Sequence, residues 1–110
     1  MSDTLEEIAY TLGRVQAELE DLAVGGLRVA GPSRLAALEA MRADLEAMGA
    51  LHLATRLARL AEAIGGQERE AAVALMQMQA SLRVFERVFS LEVVAARLGA
   101  LAADARGADA

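Results

Sequence analysis

Residues 5–22 read LEEIAYTLGRVQAELEDL, and their apolar residues recur at alternating intervals of three and four. This spacing places all of them on one narrow face of an α-helix, as in a coiled coil or a helical bundle. Asp3 and Thr4 each have a glutamate three residues later, the spacing of a helix-capping box. Gly25-Gly26 favours a helix end. We therefore predict helix 1 from about Thr4 to Val24, with inward positions Leu5, Ile8, Leu12, Val15, Leu19 and Leu22.

Three further segments show similar apolar spacing. Helix 2 is predicted from Pro32, the residue type favoured in a first turn, to about Met48. Helix 3 is predicted from about Ala50 to Ile64, and helix 4 from near Gln67. Their inward positions are Leu35, Leu38, Met41, Leu45 and Met48 in helix 2, Leu53, Leu57, Leu60 and Ile64 in helix 3, and Ala71, Leu75, Met78, Leu82, Phe85 and Phe89 in helix 4.

The apolar register of helix 4 shifts at Ser90, after which Leu91, Val94, Leu98 and Leu101 follow a different stripe. Either one long helix continues, straight or with a mild kink, or Ser90 caps a fifth helix. The continuous helix is favoured because neither Gly nor Pro interrupts the chain at this point.

The composition indicates an all-α protein. Alanine and leucine fill 43 of the 110 positions, and β-branched and aromatic residues are scarce. Short links between the segments favour antiparallel neighbours. The prediction is an antiparallel bundle of four helices in a single domain over residues 1–106, the last helix long or broken near Ser90, with a frayed tail at 107–110.

Charge and cysteine content exclude several classes. The chain has no cysteine, and its acidic N-terminus is unlike a signal peptide. The longest charge-free stretch, Ala71 to Leu82, is shorter than a membrane span. A net charge of −5 argues against a nucleic-acid partner. Every basic residue except the one histidine is arginine, a bias typical of GC-rich bacteria. We expect a cytoplasmic bacterial protein.

His52 is the only histidine, and it lies in the first turn of predicted helix 3. Histidine phosphotransfer domains are helical bundles, but they carry Lys and Gly soon after the phosphorylated histidine, whereas Leu53-Ala54-Thr55-Arg56 follow here. No Glu precedes His52 by three residues, so the Glu-x-x-His motif of di-metal bundles is missing. We predict a surface or capping role for His52, and no enzyme activity, metal or cofactor.

Helix 4 gives the strongest indication of a partner-binding surface. Between Val73 and Val94 it is apolar around most of its circumference, so it is either central to the bundle or covers a partner. We therefore single out Met76, Phe85, Val88 and Phe89 as candidate partner-binding residues, and expect a homodimer.

The run Gly26-Leu27-Arg28-Val29-Ala30-Gly31-Pro32-Ser33, with the leucine-rich helices after it, resembles the helical segment of bacterial SWIM-type zinc-finger proteins. The resemblance implies a free-standing version of that helical module. Because the zinc-finger cysteines are absent, it implies neither zinc nor the nucleic-acid role of the finger.

Taken together, these patterns favour a non-catalytic protein-interaction module, such as a small adaptor or regulatory subunit. Two alternatives stay open. One is a helical bundle that binds a small molecule or lipid along helix 4. The other is a histidine phosphotransfer-like domain that uses His52.

Overall fold

The structure is a computed structural model that describes residues 2–27, 31–67 and 69–109. These residues form four α-helices, which are α1 (Ser2–Gly25), α2 (Pro32–Ala47), α3 (Leu51–Gly65) and α4 (Ala71–Asp109). The prediction of an all-α bundle of four helices is therefore confirmed. The predicted connection over residues 27–31 lies partly outside the described residues.

The helices contact one another in ring order, each against the next in the chain and α4 against α1. Cross-helix bonds show that neighbours run antiparallel. On the α1–α2 side, Arg14 pairs with Asp44 and Arg34 pairs with Glu18, so the start of one helix faces the end of the other. On the α3–α4 side, His52 contacts Ser81 and Arg56 contacts Gln77 in the same antiparallel sense.

The core is built from the predicted inward faces. Val15, Leu38, Leu57 and Met78, one from each helix, are completely buried. Five alanines of the described residues are also buried, which lets the helix backbones approach closely: Ala50, Ala54, Ala63, Ala71 and Ala74. At one end of the bundle Ile8, Met48, Phe85 and Phe89 are partly buried and pack against this core.

The turns explain where the helices stop. Gly49 has φ of +83°, and the N–H of Ala50 donates to the carbonyl of Leu45 at 2.9 Å, as in a glycine-terminated helix end. After α3, Gln67 also adopts a positive φ of 54°. Because a left-handed residue cannot continue a helix, α4 begins at Ala71 and not near Gln67, as the sequence suggested.

The other ends also differ slightly from prediction. Helix α1 begins at Ser2, so Thr4 lies inside its first turn and does not cap it. Helix α4 continues to Asp109, into the segment 107–110 that was predicted to fray. It runs through Ser90 without a break, so the single long helix is confirmed and the fifth helix was wrong.

Candidate functional site

Helix α4 is apolar on two opposite sides. Its inner side carries Ala71, Leu75, Met78 and Leu82, all buried against the other helices. Its outer side is exposed yet also rich in valine and leucine. A surface helix in a monomer normally has one apolar face and one polar face. The second apolar face is therefore the feature of this bundle that needs an explanation.

The outer side contains an ordered pattern that we call the outer seam. Its positions alternate by four and three residues, which is the heptad spacing of a coiled coil. Every one of them is exposed, and all but Arg87 are apolar. The outer seam consists of Ala80, Val84, Arg87, Leu91, Val94, Leu98, Leu101 and Ala105. At 1.5 Å per residue it is about 38 Å long.

The second half of α4 projects from the bundle. Every residue from 94 to 107 is exposed, and the molecule measures 64 Å along its longest axis but only 22 and 20 Å across. We call residues 94–109 the extension. An isolated helix of this length is marginal in water even when it is rich in alanine. The extension would therefore gain stability from a partner along its apolar side.

The four candidate partner-binding residues divide between the two sides of α4. Met76 and Val88 are 67% and 49% exposed and lie beside the outer seam. Phe85 and Phe89 are only partly exposed and pack against the core at the end from which the extension leaves. Met76 and Val88 are therefore exposed on α4 like Leu91, Leu98 and Leu101, which were not singled out as partner-binding residues.

The ion pairs of the described residues lie away from the outer seam. Arg34 of α2 reaches Glu18 and Asp21 of α1, at 2.8 and 3.8 Å, and Arg14 of α1 reaches Asp44. Arg42 bridges Glu39 and Glu46 along α2. Its hydrogen bond lowers the pKa of Glu39. Exposed pairs of this kind contribute little to stability, at most about 1 kcal/mol each. The pairs of Arg14 and Arg34 join α1 to α2, whereas those of Arg42 lie within α2.

Two arginines of α3 and α4 have different surroundings. Arg56 donates to the side-chain oxygen of Gln77 at 3.1 Å, on the α3–α4 side. Arg83 lies on the α1 side of α4, where it lines a depression with Glu20 and Glu86. These two guanidinium groups therefore face different flanks of the bundle.

His52 is exposed in the first turn of α3, as predicted, and its Nε2 lies 3.2 Å from Ser81 Oγ. This exposed contact joins α3 to α4. No carboxylate bonds to the ring in any contact of the described residues.

Replacing His52 with Ala should leave the bundle folded, with a change in unfolding free energy within about 0.5 kcal/mol, because the site is a surface position. Chemical denaturation followed by circular dichroism measures the change. Loss of a bound metal or of a phosphorylated species, or a fall of several kcal/mol in the free energy of unfolding, would contradict the non-catalytic interpretation of His52.

Two surface depressions lie at opposite ends of the bundle. One, of about 500 Å³, lies at the α3–α4 turn and is lined by Ile64, Gln67 and Arg69 among others. Another, of about 560 Å³, lies between α1 and the end of α2, beside Tyr10 and Asp44. Both are open to solvent and lined partly by charged or polar groups. The ligand-binding alternative stays a prediction.

The described residues also bear on metal-binding and membrane-spanning roles. No cluster of three or more His, Cys, Asp or Glu residues suited to a metal ion occurs among them. Within the same residues, each helix is too short or too often interrupted by charge to cross a bilayer.

No protein-family model, curated protein or solved structure matches this chain. The resemblance to the helical segment of SWIM-type proteins stays a prediction.

Proposed function

We propose that this chain is a non-catalytic protein-interaction module that binds a helical partner along the outer side of α4, most simply in a homodimer. The observation that carries the proposal is the outer seam. It is a heptad-spaced apolar stripe, exposed along its whole length, on a helix whose opposite side already holds the core.

The energetic case rests on the side chains that the outer seam exposes. Leu91, Leu98 and Leu101 are each more than 60% exposed, and the valines beside them about half or more. Full burial of such a side chain contributes roughly 1.5–3 kcal/mol, and about half of that when it starts half-exposed. A dimer buries two copies of each. This is the scale that association at micromolar concentration needs once the entropic cost is subtracted.

The proposal extends to the protein's role in the cell. A bundle that offers one long apolar face suits a small cytoplasmic bacterial adaptor or regulatory subunit, whose task is to join or modulate other proteins. The acidic surface that goes with a net charge of −5 favours a protein partner over nucleic acid.

Replacing Val88 with Glu tests the surface. Val88 is half-exposed beside the outer seam. A buried carboxylate at an interface is costly, so the variant should stay folded but elute as a smaller species in size-exclusion chromatography. The matched control is Leu51→Glu, which places the same charge at an exposed leucine on α3. An unchanged elution volume for Val88→Glu would contradict the proposal, and unfolding would show that Val88 belongs to the core.

A further inference from the structure

We propose, building on the proposed function, that the partner of the outer seam is a second copy of this chain. Its α4 would run antiparallel to the first, with a twofold axis between Glu92 and Val93. In this arrangement the extension of each copy lies on the outer side of the other copy's α4. The inner side of α4 holds its own bundle, so the two bundles lie on opposite sides of the helix pair.

The outer seam is self-complementary about this axis. In an antiparallel helix pair, the residue numbers of two facing positions always add up to the same value, because one helix runs up as the other runs down. When this value is 185, each position of the outer seam faces another position of the outer seam. The four facing pairs are Ala80 with Ala105, Val84 with Leu101, Arg87 with Leu98, and Leu91 with Val94. Arg87 can lay its aliphatic stem across Leu98 of the second copy and keep its guanidinium in water. The seam therefore fits a second copy along its full length.

The charges beside the outer seam agree with the same register. Residues at 83, 90, 97 and 104 form the charged flank of the seam, the position whose pairing sets orientation in coiled coils. In this register Arg83 lies beside Asp104 of the second copy, and Ser90 beside Arg97 of the second copy. The opposite flank carries Val88 and Ala95, which face each other across the interface. Twofold symmetry gives two Arg83–Asp104 pairs.

Neighbouring registers and the parallel arrangement bring like charges together. A shift of one heptad in one direction places Arg83 beside Arg97 of the second copy. A shift in the other direction places Arg97 beside its own symmetry mate. A parallel pair places Arg87 against Arg87 inside the seam, where two desolvated guanidinium groups repel. The antiparallel register about residues 92 and 93 avoids all three contacts.

Charge reversal at the Arg83–Asp104 pair tests the register. Sedimentation equilibrium should show that Arg83→Glu and Asp104→Arg each weaken the dimer, with a Kd about tenfold higher, since both symmetric pairs become repulsive. The double variant should return to near the original Kd. Arg69→Glu, which makes the same charge change outside α4, is the control and should leave the Kd unchanged.

The outcomes separate this proposal from the proposed function. A chain that sediments as a monomer at every concentration overturns both. A stable dimer whose Kd ignores the charge reversals, or that the double variant does not rescue, overturns the register and leaves the interaction surface standing.

Introduced cysteines test the orientation, because the natural chain has none. An equimolar mixture of Ala80→Cys and Ala105→Cys chains should oxidise mainly to the mixed disulfide, since these positions face each other. In this register two copies of residue 80 lie about 38 Å apart. Predominance of the Ala80→Cys homodimer, or the absence of a mixed disulfide, overturns the antiparallel register.

Discussion

Replacing Leu57 with Ala should lower the free energy of unfolding by about 3 kcal/mol, within the roughly 2–5 kcal/mol found for buried leucines. Leu57 is completely buried in α3, the helix that contacts both α2 and α4. The substitution removes buried methyl groups and leaves a cavity that the three packed helices cannot fully close. Urea denaturation followed by circular dichroism measures the loss.

The matched control is Leu51→Ala on the same helix. Leu51 is 63% exposed, so the same truncation removes little buried surface and should cost within about 0.5 kcal/mol. Equal effects at the two leucines would contradict the placement of the core between α2, α3 and α4.

The double variant Leu91→Glu with Leu101→Glu should abolish the dimer at micromolar concentration while the bundle stays folded. Both leucines are more than 60% exposed in one chain, so neither change disturbs the core. In the dimer they would place four carboxylates inside a desolvated seam, which costs several kcal/mol for each charge. Light scattering coupled to size exclusion measures the mass.

The same variant should lose helical signal from the extension. Residues 94–107 are all exposed in one chain, and a helix of this length without a partner frays in water. The helical signal in circular dichroism should therefore be weaker in the double variant. Amide protons of the extension should exchange faster, while those of α3 stay protected. The control Val24→Glu with Leu51→Glu adds the same charge at exposed sites outside α4. A dimer that persists in the double variant, or an extension whose amide protons exchange as slowly as before, would contradict the idea that dimer formation stabilises the extension.

The fold was predictable because helix periodicity and core packing agree in the first three helices. Leu12, Val15 and Leu19 of α1, for example, were assigned inward from spacing alone and are buried. The spacing specifies the face that each helix buries, and the glycine-containing turns specify where each helix ends. Ala71 was assigned inward from the spacing, but the other buried alanines were not, because Ala fits both a helix surface and a close helix contact.

The shift in apolar register predicted at Ser90 has a physical reason. Leu91, Leu98 and Val84 lie on one side of α4, whereas Leu82, Phe85 and Phe89 lie on the other. The two stripes overlap along the chain, and the inner stripe fades where the bundle ends. These two stripes on opposite sides account for the shift in apolar register at Ser90.

The candidate surface was only half predictable. An apolar helix of this kind is central in a bundle or covers a partner, and periodicity does not distinguish these two arrangements. Met76 and Val88 are exposed, whereas Phe85 and Phe89, which were predicted both as inward positions and as partner-binding residues, pack inward because α4 still contacts the bundle at their level. The point at which the shorter helices end, and with them the cover over α4, depends on the tertiary structure.

The most direct test of the proposed interaction is the mass of the purified chain across a wide range of concentrations, measured by light scattering. We expect a mass that rises from 11.5 kDa towards twice that value as the concentration passes through the micromolar range. A mass of 11.5 kDa at every concentration would show that the outer seam does not bind a second copy, and would contradict the homodimer.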